Sequence, residues 1–304
     1  MSPWYSRAIG TGSVEEVLDV VAWSCRLSPS STGWEWHERP HLLLSSLAPL
    51  VPLIWEQRSE APMGWKILPS GRVELIFNLG PSMSDLEGRR VGNAFNPTEH
   101  FCFLSGLHTR PLVMRFPRFH VMGVQMEPLA VKALFGIPCI EVRDWAVHGG
   151  EILAELNAIE DRLRGPGDFP EKAVWLEEYL HRLLRRAGTM EPALLFRGAV
   201  DRMTARTLDG SRHHAEDEIG YSRMHTHRMF NEWLGLPPGE FFRLERFVRT
   251  VAAVHAGEEP FTTLAHRFGY HDQAHFNHHF QRFAGMSPTQ YRSRRWVLPG
   301  QLPV

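Results

Sequence analysis

Lysine is nearly absent from this chain. Of 33 Lys and Arg residues only three are Lys, at Lys66, Lys132 and Lys172. Its cations are therefore almost all guanidinium groups, which suit bidentate contacts with phosphate and guanine. The bias runs through both halves, so it fits the composition of a genome as well as a function. Net charge is scarce too, at −1 with His neutral, which excludes a protein that coats nucleic acid by charge alone. Cysteine is limited to Cys25, Cys102 and Cys139 with no C-x-x-C pair, which excludes a disulfide framework and a Cys-type zinc site and points to a reducing compartment. Cys102 and Cys139 leave two readings open, a redox pair or two core residues. No apolar run has the length of a membrane span; the nearest, Leu42 to Trp55, is broken by Pro49 and Pro52. The N-terminus lacks a basic region followed by an apolar one, so no export signal and a cytoplasmic location are expected. Nucleophile elbow, P-loop and dinucleotide fingerprint are all missing. No catalytic residue, metal or cofactor is assigned, and an enzyme is not expected.

What is present is concentrated near the C-terminus. Thr262 to Arg292 reads TTLAHRFGYHDQAHFNHHFQRFAGMSPTQYR. Thr262 can cap a short helix whose apolar face is Leu264, Ala265 and Phe268, and Gly269 ends it in a tight turn. Asp272 can cap a second helix that buries Phe276, Phe280 and Phe283 at i, i+4 and i+7. Its other face carries Gln273, Ala274, Asn277, His278 and Gln281, small and amide-rich as a helix must be to read base edges in a major groove. The alternative for that face is plain solvation. Ser287-Pro288 starts a last helix through Tyr291.

The pattern repeats some fifty residues upstream. In Ile219 to Phe242, Gly220-Tyr221 matches Gly269-Tyr270, Phe230 matches Phe280, and Gly235 and Pro238 match Gly285 and Pro288. Ser222 stands as the N-cap of the helix that follows. A repeat of helical units implies stacked copies with a shared core. An amphipathic helix from Gly239 to about Ala256, with Phe241, Phe242, Leu244, Phe247, Val248 and Val251, joins them. The first copy departs from the second at its leading helix, Ser211 to Ile219, where Ala215-Glu216 replaces Leu264-Ala265. A carboxylate at Glu216 implies either a looser unit or a pairing Arg.

Leu264-Ala265, Gly269-Tyr270, Asp272-Gln273, His275-Phe276-Asn277, Phe280, Gly285-Met286-Ser287-Pro288 and Tyr291-Arg292 together resemble the C-terminal signature of the AraC family of bacterial transcription regulators. The resemblance implies one polypeptide that presents two recognition helices to successive turns of a major groove, about 34 Å apart. It implies that Arg223, Met224, His227 and Arg228 face DNA in the first head, with Met229, Phe230 and Trp233 inward. In the second head it implies contact through Gln273, Ala274, Asn277 and His278. His278 stands where the family often has Arg, which puts guanine readout there in doubt. Ser222, Thr262 and Asp272 would stiffen helix starts whose N–H groups can hold phosphate. Arg223, Arg228 and Arg282 are candidate phosphate or base contacts. From Arg212 to Arg295 there are eleven Arg, no Lys and nine Asp plus Glu, a modest surplus that fits a specific binder with few phosphate contacts.

His271, His275 and His279 recur at i, i+4 and i+8, which is metal-ligand spacing, but no Glu or Cys completes a site. Protonation of such His would make DNA affinity rise as pH falls.

The N-terminal two-thirds reads differently. Val14 to Cys25 has a helical pattern and Leu27 to Gly33 a linker composition, and residues 1–40 form an extension of undefined role. From His41 short β-type runs alternate with turns: Trp65 to Leu68, a Pro69-Ser70-Gly71 turn, Arg72 to Leu79, Phe101 to Leu107, Pro111 to Phe116 and His120 to Met126. Such spacing predicts a small antiparallel barrel or sandwich. Helices are expected over Leu129 to Phe135, Gly150 to Arg164 and Pro170 to Arg186. The leucines of the last helix either meet a second copy of the chain or pack on the barrel. ILPSGRVELIFNLG, FLSGLHTRPL and HVMGVQMEPLAVKALFGIP resemble the cupin-like sensor domain that often precedes an AraC-type module. His100, His108 and His120 lie on different expected strands and do not form that fold's metal cluster.

The fold expected is α+β: an N-terminal cupin-like β-barrel with helices, then an all-α double helix-turn-helix domain. The divisions are 1–40, a sensor or dimerisation domain over 41–187, a DNA-binding domain over 190–296 and a tail over 297–304. The partners implied are double-stranded DNA, an unidentified small-molecule effector, RNA polymerase and a second copy of the chain, with no membrane. The rival reading is a barrel enzyme or repair protein fused to a regulator domain, which would need a reactive Cys or a metal cluster in the first half.

Overall fold

A computed structural model describes residues 34–40, 47–61, 63–80, 102–116, 118–188, 190–208, 220–257, 259–294 and 301–303. The expected helices at Val14 to Cys25 and Ser211 to Ile219, the linker at Leu27 to Gly33, and Glu216 and His100 lie outside those residues.

Among the described residues nine strands form: β1 (Trp34–Pro40), β2 (Leu53–Ser59), β3 (Met63–Ile67), β4 (Val73–Asn78), β5 (Cys102–Ser105), β6 (Leu112–Phe116), β7 (Phe119–Met126), β8 (Ala146–His148) and β9 (Gln301–Pro303). Among the described residues they form two antiparallel sheets, ordered β1-β2-β7-β4-β5-β8 and β6-β3-β9. The two sheets face each other across Trp55, Trp65, Ile76, Phe119 and Val121, the β-rich unit expected as a small antiparallel barrel or sandwich. The opposite face of the larger sheet, with Ile54, Leu75, Phe77, Leu104, Met122 and Val124, enters a second and larger core shared with the helices. This explains β4. Its sequence alternates as a half-buried strand should, yet Ile76 is buried as well as Val73, Leu75 and Phe77, because a central strand is covered on both faces. Trp55 and Gly123 are register partners, and a Cβ at Gly123 would fall 2.2 Å from the indole, so glycine is what lets the ring lie on the sheet.

Helices α1 (Leu129–Phe135), α2 (Gly149–Ile152), α3 (Leu156–Arg164) and α4 (Phe169–Ala187) follow, with a short 3₁₀ turn at Cys139–Val142. The single helix expected over Gly150 to Arg164 is two, because Leu153 adopts an extended backbone (φ −143°) between them. Helix α4 starts at the Asp168 cap and buries Leu176, Tyr179, Leu180, Leu183 and Leu184 in the chain's own core. Its leucines are thus not a free face for a second copy. Cys102 and Cys139 are both buried, and burial pushes the Cys139 thiol up to about 12 and raises that of Cys102 well above its usual value.

The remaining helices among the described residues are α5 (Met190–Leu208), α6 (Arg223–Leu234), α7 (Pro238–Ala256), α8 (Phe261–Arg267), α9 (Gln273–Ala284) and α10 (Pro288–Arg292). Their buried faces join the same continuous core as the larger sheet and α1. The chain then returns to the N-terminal unit, where β9 pairs with β3.

Candidate nucleic-acid interface

The two heads share one local design. Each starts from a left-handed glycine, Gly220 (φ 72°) or Gly269 (φ 68°), a conformation open to glycine without steric cost. A capping side chain follows. Ser222 Oγ accepts the His225 N–H at 3.4 Å, and Asp272 Oδ1 accepts the His275 N–H at 2.7 Å. That N–H, with His271 Nδ1 3.0 Å from the other carboxyl oxygen, holds the Asp272 carboxyl below its ordinary range. Each long helix ends on another left-handed glycine, Gly235 or Gly285, and Pro238 or Pro288 opens the next.

Helix α7 carries both heads. Near its start, Phe241 and Phe242 meet Phe230 of α6, each with ring centroids 5.8 Å apart. Further along, Phe247 meets Phe280 at 5.4 Å and Phe283 at 5.0 Å on α9. Phe230, Phe276 and Phe280 are fully buried. Phe230 and Trp233 face inward as expected, and the half-buried Met229 packs against the core.

With the apolar faces committed to α7, the polar faces lie outside. On α6, Arg223, Met224 and Arg228 are exposed and His227 is half-buried, with Met224 84% exposed. Arg228 Nη2 lies 3.0 Å from His225 Nδ1, and the exposed Tyr221 ring lies against His225, centroids 4.3 Å apart and planes tilted by 38°. On α9, Gln273, Ala274, His278, Gln281 and Arg282 are exposed and Asn277 is half-buried. Arg282 Nη2 lies 3.3 Å from Glu240 of α7, so this candidate phosphate contact already has an anionic neighbour.

Two expectations need correction. Thr262 is not a cap: α8 begins one residue earlier, after Pro260, and Thr262 is an exposed residue of its first turn. Proline's fixed φ and the extended Pro260 backbone set that start without a side-chain bond. His279 is not exposed as His271 and His275 are: it is 5% exposed, with Nδ1 3.1 Å from the Tyr270 hydroxyl and its ring 6.3 Å from that of His275. Burial first, and the nearby Arg246 second, lower its pKa to about 3, so it stays neutral near pH 7 and is no pH sensor.

Sequence spacing did not single out Tyr221, whose exposed ring lies beside the first face, or Glu240, which holds Arg282. An aromatic next to the cap at the mouth of a polar helix is a usable signal for the first. Nothing local marks the second.

Among the described residues, two capped helices that each follow a left-handed glycine, α6 and α9, pack on one shared helix, the arrangement of a helix-turn-helix domain with two heads. Residues 216–294 match the family described as "Helix-turn-helix domain", and residues 44–148 match one described as "Domain of unknown function (DUF6597)". The chain is 27% identical over 89 residues to the multiple antibiotic resistance protein MarA of Salmonella typhimurium, covering 27% of this chain and 70% of MarA. It is 27% identical over 73 residues to the HTH-type transcriptional activator AarP of Providencia stuartii, covering 24% and 54%. The solved C-terminal domain of AraT, a response regulator from Geobacillus stearothermophilus, is similar at 24% identity over 34% of this chain and 86% of that one, with a TM-score of 0.31. Fatty-acid-bound ToxT from Vibrio cholerae aligns over 86% of this chain and 95% of its own, at 11% identity and a TM-score of 0.39. Residues 216–294 thus carry a helix-turn-helix domain, and that part of the chain is similar to the regulators MarA and AarP.

Proposed function

We propose that the chain binds a specific duplex site by placing the N-terminal ends of α6 and α9 in successive major-groove segments. The observation that carries this reading is the repeat itself: two helices with the same glycine, cap and aromatic pattern, packed on one α7, each leaving a polar face exposed. Arg223, Met224, His227 and Arg228 would contact DNA in one head and Gln273, Ala274, Asn277 and His278 in the other, where Asn and Gln suit adenine. Arg282 would hold phosphate, and the N–H groups behind Ser222 and Asp272 would do the same at the starts of α6 and α9.

In this reading residues 190–296 are the DNA-binding unit and 41–187 the unit that responds to a small-molecule effector or a second copy of the chain. The sign of regulation is activation by contact with RNA polymerase, a reading supported by the description of AarP as an activator. The rival enzyme or repair reading requires a reactive thiol or a metal cluster in the first half. Cys102 and Cys139 are buried and biased to the thiol form, which disfavours a nucleophile at either. No helix among the described residues is long and apolar enough to cross a membrane.

Selection of bound duplexes from a random pool, followed by titration of variants, tests the reading. Arg228→Ala should weaken the selected site by about 1–3 kcal/mol and relax preference at one position if the residue reads a base. Arg282→Ala should weaken all duplexes evenly and flatten the salt slope by about one. Wild-type affinity in both variants would remove both assignments.

A further inference from the structure

Both recognition helices are held at the end away from the polar residues of their first turns. A Cβ on Gly235, at the end of α6, would lie 3.0 Å from Cys139 Sγ and 3.1 Å from the Cys139 carbonyl oxygen. A Cβ on Gly285, at the end of α9, would lie 3.6 Å from both Lys66 Nζ and Pro111 Cγ. The end of α6 therefore rests on the turn after α1, while the glycine that ends α9 comes near the Lys66 side chain of β3 and Pro111 before β6.

A lysine attends each end. Lys132 of α1 donates to Glu232 Oε2 at 2.5 Å, and its ammonium lies 4.8 Å from the centre of the Trp233 ring, both in the last turn of α6. Lys66 of β3 lies beside Gly285, and burial, then the neighbouring Arg294, lower its pKa. These are two of the three lysines in the chain. A helix C-terminus carries partial negative charge, so an ammonium there is favourable. The segment after the second head closes on the same strand, with Leu302 opposite Lys66 in the β3–β9 register.

We infer that Lys66 and Lys132 are positioning residues for DNA binding, gripping the C-terminal ends of α9 and α6 so that the N-terminal unit fixes the pose of one recognition helix relative to the other. This rests on the reading that α6 and α9 enter DNA. Helix α7 already joins the heads; the two lysines add a second brace from outside the helical module. A displacement of α1 against β3 would then change the separation of the heads, which gives the N-terminal unit a mechanical route to the operator.

The test uses the full chain with Lys66→Met and Lys132→Met, singly and together, and the double Lys→Arg variant as the conservative control. Amide hydrogen exchange, measured without DNA, should rise about two- to fivefold over 229–236 in Lys132→Met and over 279–286 in Lys66→Met, each helix end responding only to its own lysine. Affinity is then compared between the selected duplex and the same duplex with a single base pair inserted between the two contacted segments. Wild type should discriminate sharply. The double Met variant should lose about two- to fivefold of that discrimination, and the double Arg variant should keep it. Unchanged exchange at both helix ends overturns the grip. Altered exchange with unchanged spacing discrimination overturns the positioning role. If wild type enriches no sequence, the DNA-binding reading fails instead, and exchange still decides whether the lysines hold the helices.

Discussion

Phe280 is the residue on which the second head depends most. Its ring is fully buried, 5.4 Å from Phe247, 5.9 Å from Phe276 and 5.6 Å from Tyr291. Truncation leaves a cavity that three rigid rings cannot fill. Phe280→Ala should therefore cost about 3–5 kcal/mol in urea unfolding. A loss below about 1 kcal/mol would mean that the ring cluster is not close-packed. His279 beside it titrates in the opposite sense from a switch. Its folded pKa is about 3 against an ordinary 6.5, so between those values the unfolded chain binds a proton that the folded chain does not. Stability should fall as pH drops from 6.5 toward 3, and His279→Gln should show a shallower fall across that window. Equal slopes in the two proteins would contradict the burial of a neutral imidazole.

The elements show why some of this was readable from sequence. Caps, glycine turns and i, i+4 aromatics act within a few residues of one another, so Asp272, Gly269 and the Phe276, Phe280, Phe283 row announced α9 directly. Helix α10 was equally plain, since Ser287 accepts the Gln290 N–H at 3.2 Å while Gln290 Oε1 accepts the Ser287 N–H at 2.9 Å. Ser287→Ala removes the hydroxyl half of that box, leaves the backbone N–H of residue 287 bonded to Gln290 Oε1, and should cost about 0.5–2 kcal/mol, read as a lower thermal midpoint. An unchanged midpoint would mean that α10 adds nothing to the head. Thr262 misled because a hydroxyl before an apolar run looks like a cap, whereas proline's fixed backbone had already started the helix. Strand β8 is three residues long, too short to show a period, and β9 needs β3 to exist at all. Helix α5 was overlooked although Ala193, Phe196, Val200 and Met203 do carry helical spacing.

At the scale of the molecule, what matters most left no local trace. Lys132 meets Glu232 across 100 positions of sequence. Likewise Glu127, at the end of β7, accepts from Arg72 before β4 and lies 3.3 Å from Arg197 of α5, which also donates to the Pro49 carbonyl at 2.6 Å. All three side chains of this network are about nine-tenths buried, with 11%, 12% and 10% exposure for Arg72, Glu127 and Arg197. Glu127→Gln removes the carboxylate that Arg72 and Arg197 share, leaving Arg197 with Asp201 at 3.3 Å, and should destabilise the chain by about 3–5 kcal/mol in denaturant titration. A cost under about 1 kcal/mol would show the network relaxing into water. The two units thus share charge and core, and the α+β division is one of composition more than of separable bodies. Hydroxyl-radical footprinting of the full chain on its selected duplex measures the central claim most directly. Two protected stretches on one face of the duplex, centred about 10 base pairs apart, are the expected result. A single protected stretch, unchanged by Arg228→Ala or by substitution at Gln273, would contradict it.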